Sequence, residues 1–138
     1  NPQLPKPLTR EEAKDCKRVD LSSKVRTPDV LVQPHMASLQ MTFYPTSGGQ
    51  FPATYHGWAF AAEHGSWNRA NRAGYNVVAI PMQNGHATGE YIDFLDGFVT
   101  PDGDVWGRPV GVAIAKDGSL FVSDDGTRSI WRVEYTGK

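Results

Sequence analysis

The feature that most constrains the fold is an internal repeat with an offset of 61 residues. The segment from Phe60 to Ser66 (FAAEHGS) matches the segment from Phe121 to Thr127 (FVSDDGT) position for position, and Gly57 matches Gly118 at the same offset. Each unit reads as strand, turn, strand, polar loop and strand. A repeat of short antiparallel strands at this period predicts blades of a β-propeller. The alternative is two unrelated hairpins that share a turn motif.

Composition supports an all-β fold. The 138 residues include Gly 14, Pro 10, Trp 4, Tyr 5 and Phe 6, a mixture of turn formers and aromatic residues that is typical of short strands. The pair Asp117-Gly118 between two apolar runs predicts a hairpin, and no stretch after residue 35 has a helical period. We expect about two to three blades, which cannot close a ring. The remaining blades then lie in the same polypeptide or in another chain.

The N-terminal part differs from the rest. Residues 1–34 contain half of the Lys and Arg residues and five of the ten prolines. Only Thr9 to Arg18 has helix signals, with Thr9 as N-cap and Glu12 completing a capping box. We predict a polar, proline-rich segment or inter-blade insertion over residues 1–34 and propeller blades over residues 35–138.

Charge and cysteine content exclude several function classes. Lys and Arg number 14 against 15 Asp and Glu, a net charge of -1, so the basic excess of a nucleic-acid binder is lacking. No apolar run approaches the roughly 18 residues of a membrane span, and the first residues lack the apolar core of a signal peptide. The single cysteine, Cys16, excludes an internal disulfide framework and a cysteine-rich zinc site.

The polar loop of the first repeat copy is rich in functional groups. From Glu63 to Arg69 it offers an imidazole, a hydroxyl, an indole, an amide and a guanidinium. Arginine binds carboxylates through a fork of N–H donors, histidine donates a hydrogen bond and tryptophan stacks on flat rings, so the loop favours a planar, anionic, aromatic ligand. The candidate ligands in the loop are His64, Trp67, Asn68 and Arg69. The alternative is a structural loop in which Trp67 packs between blades and Arg69 pairs with Glu63.

Two further residues are candidates for the same site. Arg108 directly precedes the apolar run VGVAIA, which places it at the entrance of an innermost strand, where a charge needs a partner. His35 occupies the matching place before the strand SLQMTFY. The alternatives are an exposed loop arginine and a structural or solvated histidine.

Common catalytic and metal-binding motifs are missing from the sequence. There is no G-x-S-x-G elbow, Walker loop or G-x-G-x-x-G motif. The acidic residues Asp93, Asp96, Asp102 and Asp104 lack the spacing of an EF-hand calcium loop, so a solvated acidic loop is the better interpretation.

Three motifs together are similar to a known family. The segments AEHGSWNR, GYNVV and WGRPVGVAIAKDGSLFVSDDGTRSIWRV resemble the C-terminal part of the sorbosone and pyranose dehydrogenase family. The segment HMASLQMTFYPTSGGQFPATYHGWAF resembles the region just before the histidine motif of that family, and the whole resemblance covers about residues 28–136. Members of the family are soluble sugar dehydrogenases that use pyrroloquinoline quinone (PQQ). The ordered combination of motifs is specific, whereas any one of them alone is weak.

The resemblance implies a six-bladed β-propeller with PQQ and a calcium ion at one mouth of its channel. It implies that a sugar is oxidised at C1 by hydride transfer to PQQ, in a secreted or periplasmic protein. By motif, His64 and Arg69 contact the quinone and its carboxylates. Arg108 is a further carboxylate contact, and His35 approaches the same site. Trp67 and Asn68 lie beside the quinone or shape the loop.

The resemblance also places part of the active site outside this sequence. The family's general base and its calcium-binding carbonyls belong to earlier blades. We therefore expect no catalytic base and no metal ligand among these residues, and no activity from the chain alone.

Two other functions are compatible with the residues. Propeller strands of this type also occur in non-catalytic modules that bind a protein or a glycan. A lactonase-like metal enzyme on a similar propeller needs a cage of acidic and amide ligands, which Asp124 and Asp125 could join. The cationic character of the polar loop ranks the lactonase hypothesis last.

Overall fold

The computed structural model describes residues 26–137, so the helix expected over Thr9 to Arg18 lies outside the described residues. Within that range the only helical element is a single 3-10 turn at Ala53–Tyr55. No helix in the same range is long and apolar enough to cross a membrane. The strands are β1 (Ser38–Phe43), β2 (Ala59–Glu63), β3 (Asn76–Ile80), β4 (Met82–Gln83), β5 (His86–Ala87), β6 (Ile92–Leu95), β7 (Pro109–Ile114), β8 (Leu120–Asp124) and β9 (Ser129–Val133).

The strands form two antiparallel blades, which confirms an all-β fold consistent with part of a propeller. The first blade has the order β1-β2-β3-β6 and the second has the order β7-β8-β9, while β4 and β5 form a small separate hairpin. The strands β2 and β8 begin and end at corresponding positions of the sequence repeat. Gly57 and Gly118 both have a positive φ, 77° and 84°, in the turns before these strands. The repeat is therefore structural.

A hydrophobic core lies between the two blades. Strand β2 is buried at all five positions because one face packs into this core and the other packs against a smaller cluster around Met36 and Val78. Strand β8 alternates instead, with Phe121 exposed between buried Leu120 and Val122, as expected for a sheet with one covered face. The core residues are Tyr44, Phe51, Phe60, Ala62, Val77, Ala79, Val112, Leu120 and Val122.

Polar contacts also join the blades at their innermost strands. The Gln40 side-chain oxygen on β1 accepts a hydrogen bond from the Val112 amide on β7, at 3.0 Å. Gly111 makes this approach possible, since an added Cβ there would lie 2.5 Å from the same oxygen. The register of β7 shifts beside this glycine, between Pro109 and Gly111. The bulge thus turns the edge of β7 toward the first blade.

The outer face of β1 is exposed within the described part of the chain. Leu39, Met41 and Phe43 are 54%, 51% and 57% exposed. They alternate along the strand, so they share the face that points away from the core between the blades. A row of large apolar side chains of this kind is typical of a surface that packs against another element.

The loops that carry the candidate residues emerge at one end of both blades. In an antiparallel sheet, alternate connections lie at the same end. The segments before β1 and before β7 therefore share an end with the β2–β3 loop (residues 64–75) and the β8–β9 loop (residues 125–128). This arrangement places His35, His64 and Arg108 on the same side of the molecule.

A buried tyrosine should carry much of the stability of the blade junction. The Tyr44 hydroxyl donates to the Gly118 carbonyl at 2.8 Å and accepts from the Phe51 amide at 2.9 Å. Tyr44→Phe leaves both backbone groups without a partner, so we expect a loss of about 2–3 kcal/mol in the free energy of unfolding, measured by urea denaturation. Tyr55→Phe is the matched control, because the described residues give the Tyr55 hydroxyl no hydrogen bond. Equal effects of the two substitutions would contradict this account.

Candidate functional site

The β2–β3 loop is tied to the segment before β1. The amides of His64 and Gly65 donate to the carbonyls of Ala37 and Met36, at 3.0 and 2.8 Å. His35 and Ala37 have positive φ values of 68° and 58°, a conformation that costs free energy for residues with a Cβ. The contacts with the β2–β3 loop hold this segment in its strained form.

His64 bridges from the first blade to the second. Its Nδ1 lies 3.2 Å from the carbonyl oxygen of Pro109, and its Nε2 lies 3.7 Å from a carboxylate oxygen of Asp125. A carbonyl only accepts, so the short contact assigns the proton to Nδ1. Nε2 then faces the exposed Asp125 carboxylate and is free to accept in the neutral ring. His64 and Asp125 are also the corresponding residues of the two repeat copies.

Arg108 lies beside His64 at the start of β7. Its Nε is 3.5 Å from the carbonyl oxygen of His64, and its guanidinium carbon is 5.9 Å from the centre of the Tyr75 ring. The guanidinium is only partly buried, and within residues 26–137 no carboxylate pairs with it. Its terminal N–H groups are therefore positioned to bind an anion.

Tyr75 is the aromatic platform beneath two arginines. Arg72 approaches the same ring, also at 5.9 Å, and the Tyr75 hydroxyl donates to the carbonyl of Ser66. The Tyr75 ring packs directly on Gly65, where an added Cβ would lie 2.5 Å from three ring atoms. Gly65 also has a φ of +100°, which residues with a side chain rarely adopt. Tyr75 is not among the candidate residues predicted from the sequence. The signal that could have found it is the Gly-Tyr pair at the end of the rich loop.

The other candidate residues occupy two different environments. Arg69 donates from Nη1 to the Pro34 carbonyl at 3.0 Å and to the Gln33 side-chain oxygen at 3.3 Å. It is thereby fixed next to exposed His35. Trp67 is 81% exposed and Asn68 is also exposed, so Trp67 does not pack between the blades. The structure thus brings His64 and Arg108 into contact, joins Arg69 to the His35 segment, and leaves Trp67 and Asn68 projecting into solvent.

A buried carboxylate organises the second blade around this site. The Oδ1 atom of Asp124 accepts from the amides of Arg108, Gly126 and Thr127 at 2.8, 2.9 and 3.1 Å, and Oδ2 accepts from the Trp131 indole at 3.0 Å. Burial by itself would raise the pKa of Asp124, but these hydrogen bonds outweigh it and lower the pKa below its ordinary value. Asp124 therefore stays ionised and holds the first residue before β7.

Glu63 is the counterpart of Asp124 in the first blade, with the opposite electrostatics. Its carboxylate is fully buried and accepts from one hydroxyl, that of Ser38, at 2.8 and 2.7 Å. Burial raises the pKa of Glu63, and the Ser38 hydrogen bond only partly offsets this. The same repeat position thus holds a buried anion with four hydrogen-bond donors in one blade and a buried acid with a single donor in the other.

The chemistry of the site is that of an anion and aromatic receptor. Arg108 and Arg69 supply positive charge, the buried Tyr75 ring supports the Arg108 guanidinium, and the exposed Trp67 supplies a flat face. Within residues 26–137, no group of three His, Cys, Asp or Glu side chains could hold a metal ion. The described residues thus fit a planar anion better than a cation.

Comparisons with known proteins agree on one family. The TrAA12-like family model matches residues 4–136. The holo form of the pyranose dehydrogenase PQQ domain from Coprinopsis cinerea matches 83% of this chain with a TM-score of 0.63 and 27% identity, over 31% of its own length. The calcium structure of Trichoderma reesei Carbohydrate-Active Enzymes Family AA12 matches 75% of this chain with a TM-score of 0.57 and 26% identity, over 25% of its own length.

A third relative is similar in sequence. An uncharacterized protein of Borreliella burgdorferi is 39% identical over 102 residues, which make up 73% of this chain and 26% of that protein. The chain therefore spans between a quarter and a third of the length of these relatives.

Asp124→Asn tests the role of the buried carboxylate. Asparagine retains one acceptor for the backbone amides, but its NH₂ group then meets the Trp131 N–H, so two donors face each other. We expect a loss of about 2–3 kcal/mol in the free energy of unfolding at neutral pH, measured by urea denaturation. The neighbouring Asp125→Asn is the control, since an exposed pair of this kind contributes less than about 1 kcal/mol.

The pH dependence gives the Asp124 prediction a second test. A lowered native pKa means that the native state binds fewer protons than the unfolded state as the pH falls. The stabilisation is therefore complete above the ordinary aspartate pKa and is lost as the pH falls through the lowered native value. The difference in stability between wild type and Asp124→Asn should shrink over that window. A difference that is independent of pH would contradict the assignment.

Glu63→Gln should have the opposite pH signature. Because its pKa is raised in the native state, folding favours the protonated form, and stability falls as the pH rises from the ordinary glutamate pKa through the raised value. Glutamine mimics the protonated acid, so we expect the variant to be at least as stable as wild type at neutral pH and to lack this decline. A variant that is less stable at neutral pH would indicate that the Glu63 charge has a cationic partner.

Proposed function

The chain belongs to the TrAA12-like family, and on this premise we propose that it supplies two adjacent blades of a PQQ-dependent sugar oxidoreductase. Its part in that enzyme is to form one wall of the cofactor site. The observation that carries the proposal is the meeting of His64 and Arg108 at the blade junction, above the ring of Tyr75. The holo pyranose dehydrogenase domain, which matches 83% of the chain, supports the choice of cofactor.

The residues at the junction fit the chemistry of PQQ. This cofactor is a flat aromatic system that carries carboxylates, and when bound it accepts a hydride from C1 of the sugar. Arg108 binds one carboxylate through terminal N–H groups that the described residues leave without a carboxylate partner. His64 lines the same edge, with Nδ1 held by the Pro109 carbonyl and Nε2 on the side of the exposed Asp125 carboxylate.

Arg69 and His35 form the second arm of the proposed site. Arg69 donates from Nη1 to the Gln33 side chain and to the Pro34 carbonyl, which fixes the plane of its guanidinium group. Its second terminal nitrogen is left to bind the ligand. Trp67 offers an indole face that is 81% exposed, so it is available to cover the aromatic rings of the cofactor. Asn68 lies beside it as a hydrogen-bonding group.

In the proposed enzyme, calcium is bound by residues outside the described part of this chain. The donor set described here is cationic, and the carboxylate of Asp124 already accepts four hydrogen bonds. Both of its oxygens are therefore engaged inside the fold, three donors on Oδ1 and one on Oδ2, which argues against a lactonase-like metal cage. In the proposed enzyme, the calcium ligands and the catalytic base belong to the remaining blades.

The exposed face of β1 supports the need for further blades. Leu39, Met41 and Phe43 form an apolar row on the side opposite the core between the blades. We assign this row to the contact with a preceding blade, in the same polypeptide or in another chain. The proposed enzyme acts on a sugar in a secreted or periplasmic setting, as the family resemblance implies.

Binding of PQQ tests the proposal at its cationic residues. We expect Arg69→Ala and Arg108→Ala each to weaken PQQ binding by about 1.5–3 kcal/mol, because each removes a charged hydrogen bond. The affinity is measured by titrating PQQ, with calcium present, into the complete protein that carries this chain.

Arg72→Ala is the matched control. Arg72 contacts the same Tyr75 ring but is exposed and donates its Nε to the Gly103 carbonyl, so its removal should change PQQ affinity by less than twofold. Unchanged affinity in Arg69→Ala and Arg108→Ala would sink the cofactor assignment. No uptake of PQQ at any concentration would favour a non-catalytic propeller that binds a protein or a glycan.

A further inference from the structure

A second concave surface lies on the other side of Asp124 from Arg108. We call it the Trp groove and define it by Phe98, Trp106 and Trp131 with the charged residues Asp96, Arg132 and Glu134; Leu95 and Val133 complete its lining. Its volume is about 360 Å³, which is within the range of small-molecule sites. None of these residues has a role in the proposed cofactor site.

The two indoles of the Trp groove are held by their N–H groups. Trp106 donates to the Gly97 carbonyl at 2.8 Å, and Trp131 donates to Asp124 Oδ2 at 3.0 Å. The rings lie 5.9 Å apart at 83° to each other, and Phe98 supports both. Because both polar N–H groups are used inside the fold, what the indoles present to a ligand is their apolar ring surface, and they are 45% and 36% exposed.

The rim of the groove is acidic. Asp96 is exposed, and within residues 26–137 its carboxylate has no hydrogen bond or ion pair. Glu134 pairs with Arg132 at 2.7 Å, while Arg132 also reaches Asp117. The single positive charge of Arg132 is thus shared by two carboxylates, so the net charge at the rim, with Asp96, is negative, which disfavours phosphate and other anionic ligands.

The combination of flat apolar faces and free carboxylates selects a class of ligand. An apolar strand laid in the groove would bury the Asp96 carboxylate without a partner, at a considerable cost. A pyranose ring has an apolar face of C–H groups, which packs on an indole, and hydroxyls, which donate to carboxylates. We infer that the Trp groove is a carbohydrate-binding subsite that holds one sugar unit of an oligosaccharide outside the cofactor site.

This inference deepens the proposed function, since it rests on a sugar as the substrate class. Asp124 links the two places: one carboxylate oxygen holds the Arg108 backbone and the other holds the Trp131 ring. A chain bound in the groove is therefore anchored on the same rigid element as the cofactor wall. The subsite would favour oligosaccharides over monosaccharides without taking part in the redox step.

The test is calorimetric titration of the complete protein, free of quinone, with two neutral hexasaccharides, cellohexaose and maltohexaose. We expect at least one to bind, and Trp106→Ala to weaken that binding about tenfold. Trp106→Phe keeps an aromatic face and should stay within about twofold of wild type. This second variant separates loss of the ring surface from loss of the fold, which thermal denaturation of each variant also reports.

Two further variants sharpen the test. Asp96→Asn should weaken binding, because a charged acceptor is lost. Tyr135→Ala is the matched control: Tyr135 is 48% exposed, close to the 45% of Trp106, and lies outside the groove lining. The inference is overturned if neither hexasaccharide binds, if Trp106→Ala binds like wild type, or if Tyr135→Ala has the same effect as Trp106→Ala.

Titrating the same protein with PQQ and with the hexasaccharides distinguishes a failure of the subsite from a failure of the cofactor proposal. If PQQ does not bind but the hexasaccharide binds through Trp106, the cofactor proposal fails and the subsite stands. If PQQ binds with the dependence on Arg69 and Arg108 given above but no hexasaccharide binds, the subsite fails alone.

Discussion

Asp124 is the constraint on which both proposed binding surfaces depend. A carboxylate that is only 3% exposed is stable as an anion only if hydrogen bonds replace its lost hydration, and here four N–H donors do so. Three of the donors are backbone amides around the start of β7 and the β8–β9 loop. The fourth is the Trp131 indole. The hydrogen bonds of this carboxylate therefore fix the position of Arg108 just before β7 and the orientation of the Trp131 ring.

The two blades differ chemically at corresponding positions of the repeat. Corresponding positions hold Glu63 and Asp124 at the strand ends, followed by His64 and Asp125. The first acid has one hydroxyl partner and a raised pKa, whereas the second has four donors and a lowered pKa. The two following residues face each other across the junction at 3.7 Å. The different side chains at equivalent positions therefore make the junction between the two blades asymmetric.

Much of the fold follows from local signals in the sequence. The repeat identified β2 and β8, and the pair Asp117-Gly118 correctly predicted the hairpin between β7 and β8, because both depend on short-range turn chemistry and alternation. The outer strand β6 lies within the run EYIDFLDGFV and is set by pairing with β3 rather than by its own sequence pattern. The polar segment predicted over residues 1–34 stays a prediction, since residues 1–25 lie outside the described part.

The site was harder to predict than the strands. The density of polar groups identified the loop from Glu63 to Arg69, but only tertiary contacts bring Tyr75 under Arg108 or surround Asp124 with donors. The exposure of Trp67 likewise depends on how the loop folds back, through the hydrogen bond between the Ser66 amide and the Ala73 carbonyl. Roles that depend on contacts between distant segments leave little local signal in one sequence.

The most direct test of the central claim, that this blade junction is a wall of a PQQ site, is native mass spectrometry of the protein from its source. The account predicts a folded species whose mass exceeds the denatured mass by one quinone and one calcium ion, with both released on unfolding. A folded protein that carries no quinone, even after incubation with saturating PQQ and calcium, would contradict it.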